Sequence, residues 1–589
     1  MSGLVAVVGC AEPATAARRM LSAAPHRGPE VELHGGARFA VGVQALPGGP
    51  PFTEPGMVVD WAMTAAVVGC LFRGDEIVSG RAAAQAVAAA WRAGGTAALA
   101  RLRGAFAGVL VIEEGEMVVA LRSQIGERPL FSRRAGEMLA FASEVKQLRA
   151  LDAATPEVDA AVLLDHIAID FDRAERTPWR SIERVRAATV MQFADGDAQL
   201  TQTWDPRSFA GTLELSVPDA SGRFRELLRQ AVARRLRSDT CVLMSGGIDS
   251  TAIAAEAAAI QRDRAGGPLA AVSALFGGHA SADETEQIRA TVRALGLRGL
   301  EVRPAPRPFR DVDDGMRLHD APSVVAVPEN VVALLDTAAD AGFTCALDGN
   351  DGDSLFGPRT GIERALARRG AARVLVQHVA RTHASGATWG RALRTHLLWP
   401  FMPARMTRAY LRLRGQRAEE ELPAWITGPL RARLLTSHDP HGAPDWLEEQ
   451  SAIYGGRLEV LLEVLERIGL SRSVTLLHPL ADLDLVEFFL GLPPEVKFAG
   501  GLAKGLVRQS FPELPTDVSG RAYKPHFDDV SSAGADPSDL QAAVSAGPRA
   551  LPGVDWEALE ARGANGGVPG REVAMIVRVL QADHLLGVR

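Results

Sequence analysis

Cysteine is scarce in this chain: 4 in 589 residues, at Cys10, Cys70, Cys241 and Cys345, far apart and without a CxxC pair. That spacing argues against a disulfide framework or a zinc site, and a reducing cytoplasm is the expected compartment. A basic excess is lacking too: the net charge is −7, so nucleic-acid binding is not expected. No uninterrupted apolar run approaches the roughly 18 residues of a transmembrane helix, and no stable membrane insertion is expected. The opening MSGLVAVVGC is apolar but has no basic n-region, and it predicts a first strand, not a signal peptide. No internal repeat is present. What the chain does have is 47% hydrophobic and 23% charged residues, a balance typical of a soluble globular protein. Its length is that of two domains.

Up to about residue 205 the pattern is short β-like runs separated by turn residues, at 4–8, 39–43, 65–71, 106–112, 117–121 and 138–142, with one helical piece at 81–92. Strand runs with few helices between them predict antiparallel sheets. From residue 218 the texture changes to helix 222–237, strand 241–244, helix 251–262, strand 270–276, helix 282–295, strand 300–304, helix 330–341 and strand 344–347, then mainly helix. This alternation predicts an α/β domain with a parallel sheet and an active site at the strands' C-terminal ends. The expected division is 1–205, a linker at 206–217, and 218–589.

The most informative residues are Ser245-Gly246-Gly247-Ile248-Asp249-Ser250, between the apolar run Cys241-Val242-Leu243-Met244 and an Ala-rich helical stretch. A strand, a tight turn and a helix N-terminus make a concave anion site. Two adjacent glycines let the backbone approach a polyphosphate, and Ser245 and Ser250 add hydroxyl donors. Asp249 would repel phosphate unless a hard cation such as Mg2+ sits between them. The bland alternative is an ordinary Gly-rich strand–helix turn. The segment resembles the SGGxDS loop of ATP pyrophosphatases (PP-loop proteins), which cleave ATP between the α and β phosphates.

A second group, Asp348-Gly349-Asn350-Asp351-Gly352-Asp353-Ser354-Leu355-Phe356-Gly357, resembles the SGEGSDExFGG segment of asparagine synthetases. The resemblance implies that Asp353, with Asp249, holds Mg2+ on pyrophosphate, as two carboxylates from different strand ends can; an Asx-rich turn is the bland alternative. It also implies nucleotide contacts at Leu243, Ser273, Gly349, Lys504 and Arg508. Lys504-Gly505-Leu506-Val507-Arg508 resembles KxxLR, and Arg521-Ala522-Tyr523-Lys524 resembles RxxK. The family lysine at the latter place implies that Lys524 stabilises charge as it develops, a catalytic role shared with Asp249 and Asp353. Asp283-Glu284 resembles a DE pair beside the nucleotide, although helix capping explains these two equally well. His478-Pro479-Leu480-Ala481-Asp482-Leu483-Asp484 resembles HPFLD. There, capping-box spacing between Asp484 and Glu487 predicts a helix start.

In the first half, His26-Arg27-Gly28-Pro29-Glu30, Gly104-Ala105-Phe106-Ala107, Ile125-Gly126-Glu127-Arg128-Pro129-Leu130-Phe131 and Phe141-Ala142-Ser143-Glu144-Val145-Lys146 resemble segments of the glutaminase domain of asparagine synthetases. That implies an N-terminal-nucleophile (Ntn-hydrolase-like) αββα sandwich. The family's cysteine is Ser2 here, a poor substitute for a thiolate. The family's Asn-Gly-Glu is Val68-Gly69-Cys70, which lacks a side-chain oxyanion donor. Glutamine hydrolysis is therefore expected to be lost. Cys10 and Cys70 are expected in the core.

Asn350 stands where asparagine synthetase has a glutamate, and an amide cannot accept a proton at neutral pH. A peptide α-amine, with a pKa of about 7.7–8.0, needs less help to become neutral than a lysine does. Together these features resemble lasso peptide cyclases and β-lactam synthetases, members with ATP and Mg2+ chemistry and an inactive glutaminase domain. The implied reaction is adenylation of a carboxylate followed by capture by a nearby amine, the cyclase being the favoured case. The implied partners are a precursor peptide and, alongside it, a leader peptidase or recognition protein. The alternatives are a small-molecule amide ligase, an ammonia-dependent asparagine synthetase and an ATP-binding scaffold without activity. Between 359 and 417 arginines abound and Glu363 is the one acid. Amphipathic helices with a solvated basic face are the plainest reading. A docking surface for an acidic peptide or partner enzyme, or contact with a membrane surface, are the alternatives.

Overall fold

Strand Ser2–Val8 is buried at all seven positions, which requires cover on both faces. Leu4, Ala6 and Val8 face a second sheet, packing with Ala66, Val68, Ala107, Val109 and Ala120. Val5 and Val7 point the other way, onto Ala17, Met20 and Leu21 of helix Pro13–Ser22. The second sheet behaves alike: Ala65, Val67 and Leu71 turn outward onto Ala83, Ala84, Val87 and Ala88 of helix Gly80–Leu99. Alternation with period two, apolar on both faces, builds the expected αββα sandwich. The coordinates are a computed structural model that describes residues 2–60, 62–151, 157–310, 312–325, 327–356, 361–403, 406, 422–437, 453–520, 527–564 and 567–587.

The first sheet is antiparallel, in the order Ile182–Arg184, Phe131–Ala135, Met138–Ala142, Ser2–Val8, Phe39–Ala45, Glu30–Gly35. The second, also antiparallel, runs Asp197–Gln202, Thr189–Ala194, Met117–Arg122, Gly104–Ile112, Met63–Arg73, Gly56–Asp60, with Glu76–Ser79 paired to Met63–Arg73.

The third sheet is all parallel, in the order Arg298–Val302, Ala270–Ala274, Thr240–Leu243, Cys345–Leu347, Thr475–Leu477. The chain starts this sheet in the middle, builds outward to one edge, then crosses back to the other side. The order therefore reverses between Thr240–Leu243 and Cys345–Leu347, and a crevice opens at such a switch point beyond the strands' C-terminal ends. Several details differ from expectation: helices Pro13–Ser22 and Ala160–Ala168 join the sandwich where only 81–92 was expected to be helical. The helix expected at 222 begins at Val217, because the Ser216 hydroxyl caps it and Pro218 sits in its first turn. The segment before it is stitched down: the Gly211 and Leu213 amides donate to the Leu490 and Gly491 carbonyls at 3.2 and 2.9 Å.

One helix joins the sandwich to the parallel-sheet half. On Leu458–Ser471, Glu459, Glu463 and Glu466 recur at helical spacing and so share a face. Glu463 takes Arg122 at 3.0 Å and Arg184 at 2.8 Å; Glu459 takes Arg186 at 2.7 Å; Glu466 takes Arg27 at 3.0 Å. Arg27, Arg122 and Arg184 are buried, so these pairs operate where water does not screen them.

Candidate active site at the switch point

Because Val242 pairs with Leu347, the two strands end side by side and deliver residues 245–250 and 348–353 into one crevice. The first loop is held by its own small side chains. The Ser245 amide donates to the Ser250 hydroxyl at 3.1 Å, the two serine hydroxyls are 3.0 Å apart, and the Gly247 amide donates to Ser245 Oγ at 3.2 Å. Gly247 starts helix Ile248–Asp263 with no side-chain cap, which offers the first-turn amides to an anion. Glu284 braces the loop from outside by accepting the Gly246 amide at 3.1 Å, and Asp283 caps the next helix through the Thr285 amide at 3.0 Å. The DE pair thus divides between bracing and capping.

Glycine is needed where the loops touch. A Cβ on Gly349 would lie 2.9 Å from the Ser250 amide nitrogen, and one on Gly352 would lie 2.4 Å from Asp249 Cγ. Their contact brings Asp249 and Asp353 onto one cationic point. That point is the Lys504 ammonium, which donates to Asp249 and, at 2.7 Å, to Asp353 Oδ1. The resemblance places Lys504 with the nucleotide; in the structure it spans the two carboxylates. Two acids that converge on one ammonium suit a divalent cation equally, so Asp249 and Asp353 fit the implied Mg2+, which would shield a polyphosphate from them. Lys504 is itself in the left-handed region (φ 59°), an uncommon state for a residue with a side chain and one that recurs at functional positions.

The remaining expected residues fall around this point. Leu243 ends its strand half-buried, and Ser273 is buried on the neighbouring strand. Arg508 directs Nε to the Ala503 carbonyl at 3.0 Å and Nη1 to the Val518 and Ser519 carbonyls at 3.1 and 2.7 Å, which shapes the loops beside the crevice. Lys524, with Arg521 and Tyr523, lies outside the described residues. Asp484 and Glu487 form no capping box. Asp482 starts helix Leu483–Gly491, while Asp484 and Glu487 hold Arg103 at 3.1 and 3.0 Å. The sequence cue fails there because the helix starts at Leu483, before Asp484, and Asp484 is drawn onto the buried Arg234 at 3.3 Å as well as onto Arg103.

Asn350 does not stand alone: its side-chain amide donates to Asp348, whose other oxygen accepts His478 Nδ1 at 2.8 Å. Burial opposes the His478 imidazolium and the Asp348 carboxylate more than offsets that, so the His478 pKa moves upward. Next to them Asp351 accepts the Tyr454 hydroxyl at 3.0 Å, and burial pushes the Asp351 carboxyl up to about 7. Sequence reading missed Asp351 with Tyr454, the Glu284 brace and the position of Lys504. Only Tyr454 carried a cue: it is one of 3 tyrosines in the chain.

The described part of the 359–417 region also departs from a plain basic face. Its helices expose Val376, Trp389, Leu393, Leu397, Leu398 and Phe401 to water beside their arginines. Among the described residues no helix is long and apolar enough to cross a membrane.

Two family models match the chain in this order. Residues 73–204 match the glutamine amidotransferase domain and residues 223–546 match asparagine synthase. Asparagine synthetase (glutamine-hydrolyzing) 3 of Bacillus subtilis strain 168 is 23% identical over 444 residues, 72% of this chain and 67% of its own length. A putative asparagine synthetase (glutamine-hydrolyzing) of Mycobacterium bovis is 32% identical over 181 residues, 29% of this chain and 28% of its own length. A solved structure of the allosteric regulatory enzyme of purine biosynthesis aligns over 51% of this chain and 81% of its own, with 13% identity and a TM-score of 0.26. The asparagine synthase match alone spans more than half of the chain and contains both loops of the crevice, so this protein belongs to the asparagine synthase family of ATP-dependent amide-forming ligases.

Proposed function

We propose that the protein adenylates a carboxylate of a precursor peptide, releasing pyrophosphate, and joins it to the same peptide's N-terminal amine, as a lasso peptide macrolactam cyclase does. The observation that carries the ATP half of this reading is the meeting of Asp249 and Asp353 on one cation beside the 245–250 loop. In the first step a carboxylate oxygen attacks the α-phosphorus, the α–β bridge breaks, and pyrophosphate leaves against the loop amides and Lys504. Mg2+, held by Asp249 and Asp353, would supply charge neutralisation for that leaving group. In the second step the amine attacks the acyl carbon, AMP departs and the nitrogen loses a proton. Lys524 would supply a fixed cation to the developing negative charge.

The nitrogen source is the finer part of the reading. Asn350, tied to Asp348, offers no carboxylate to an incoming amine. An amine already partly neutral, held on the same molecule as the acyl-adenylate, needs less from the protein. The sandwich serves as scaffold. Ser2 is buried with its carbonyl bound by Arg27 at 2.6 Å, Val68 gives no side-chain donor, and burial pushes the Cys70 thiol up to about 11. The exposed apolar and basic surface at 376–401 is where a peptide or its recognition protein would rest.

The test is pyrophosphate release and peptide mass with three substrate sets: a candidate precursor peptide, aspartate with ammonia, and aspartate with glutamine. Loss of one water from the peptide, matched by AMP and pyrophosphate, is expected. Turnover with aspartate and not with peptide would overturn the cyclase reading, and absence of pyrophosphate with every acid would overturn the ligase reading. Ser2→Ala is expected to leave the peptide reaction unchanged.

A further inference from the structure

Away from the crevice, three side chains of the arginine-rich region point their ligand atoms at one another: Glu363, His378 and His396, all within 4.8 Å. They come from three elements, helix Ile362–Arg368, helix Ala372–Ala384 and the π-helical turn Arg394–Leu398. Single π turns recur at functional sites. Glu363 Oε1 lies 2.8 Å from His396 Nδ1 and 3.8 Å from His378 Nε2. Ligands at about 2.0–2.1 Å from a tetrahedral metal stand about 3.3–3.4 Å apart, so shifts of about half an ångström bring each histidine nitrogen to that distance from Glu363.

The outer nitrogens decide what the inner ones offer. His378 Nδ1 is 3.1 Å from the Gly501 carbonyl, which can only accept, so this nitrogen carries the proton. Its Nε2, facing Glu363, then presents a lone pair in the neutral ring. His396 Nε2 is 2.9 Å from Thr382 Oγ1, whose own hydroxyl proton has an acceptor in the His378 carbonyl at 3.2 Å. In the tautomer with the proton on Nε2, His396 Nδ1 also presents a lone pair toward the carboxylate; in the other, Nδ1–H donates to Glu363 at 2.8 Å and a metal would displace that proton. In the first tautomer two imidazole lone pairs and a carboxylate converge, with each imidazole oriented by a hydrogen bond on its far side, as metal-binding histidines are. Side-chain exposures of 12–17% leave a path for a metal and room for a water or further ligand.

We infer that Glu363, His378 and His396 bind one transition-metal dication, with Zn2+ the best match to two imidazoles and a carboxylate. The ion would fasten the two helices and the π turn to the segment around Gly501, where a Cβ would lie 2.4 Å from the His378 amide nitrogen. That segment leads directly to Lys504, so the metal acts as a positioning clamp behind the crevice and takes no part in the reaction.

The experiment uses the full chain, stripped with a chelator, titrated with Zn2+ by calorimetry and with Co2+ by visible absorption. About one equivalent per chain is expected, with the d–d bands of a four- or five-coordinate Co2+ ion, and a rise in melting temperature with added Zn2+. Glu363→Gln keeps the side-chain shape and should weaken binding beyond the roughly 10–100-fold that a merely supporting residue carries; His396→Ala should remove the Co2+ bands. No stoichiometric binding by the wild type, or binding unchanged in both variants, overturns the site. Should a variant fail to fold, the wild-type Co2+ spectrum decides: weak six-coordinate bands like those of the aqueous ion would overturn it.

Discussion

Lys504 shows how much rests on one side chain. Its backbone is left-handed at φ 59°, where most L residues resist, and it stays so because Gly505 packs on the Ala499 backbone with no space for a Cβ. Its ammonium keeps two like charges together that would otherwise repel. Lys504→Met should reduce ATP–pyrophosphate exchange by about 10²–10³-fold with little change in melting temperature, the effect of removing one fixed donor from developing charge. Asp249→Asn and Asp353→Asn should abolish exchange; normal turnover in either would remove the metal assignment. His166 and His319 are buried elsewhere, and burial pushes their pKa values down to about 4 and about 3. An unfolded histidine titrates near 6.5, so between these values the unfolded chain binds the proton and the native one does not. Stability is therefore full above about pH 6.5 and falls as pH drops toward 4, by on the order of 2–3 kcal/mol for His166. Urea midpoints measured across that range should flatten in His166→Gln with His319→Gln.

At the scale of elements, the site depends on two loops meeting without a Cβ between them. Gly352→Ala would place a methyl 2.4 Å from Asp249 Cγ and push Asp249 off the shared cation. Exchange activity should fall at least about 10-fold while circular dichroism stays unchanged, because only loop contacts move. Gly222→Ala is the control, since nothing lies within 4 Å of its Cβ position; it should keep full activity and stabilise helix Val217–Arg235 by about 0.5–1 kcal/mol. Both loops were legible in the sequence, since a strand, a small-residue turn and a helix leave a pattern. Their mutual contact was not, since the residues that touch are a hundred positions apart.

Across the whole molecule, the acidic stripe of helix Leu458–Ser471 joins the two halves. Glu463→Ala would leave Arg184 buried without its carboxylate and Arg122 with only Glu459 at 3.5 Å, at a cost of about 3–5 kcal/mol of unfolding free energy read from urea midpoints. Arg27 and Arg128, read from sequence as parts of glutaminase segments, turn out to face Glu466 across this junction. Nothing in the spacing of Glu459, Glu463 and Glu466 says more than an acidic helix face, since the partner arginines lie hundreds of residues upstream.

Local chemistry was therefore within reach of the sequence. Short β-like runs announced antiparallel sheets, β–α alternation announced the parallel sheet, and Ser245–Ser250 announced an anion-binding turn, because each rests on neighbouring residues alone; the sandwich and the pairing of Asp353 with Asp249 came only with the family resemblance. The tertiary structure decided what distant residues do to one another: Lys504 between two carboxylates, Tyr454 on Asp351, three acids taking up the sandwich arginines, and Glu363 facing two histidines. Such pairings are fixed by the path of the chain through space, which no single stretch of residues contains.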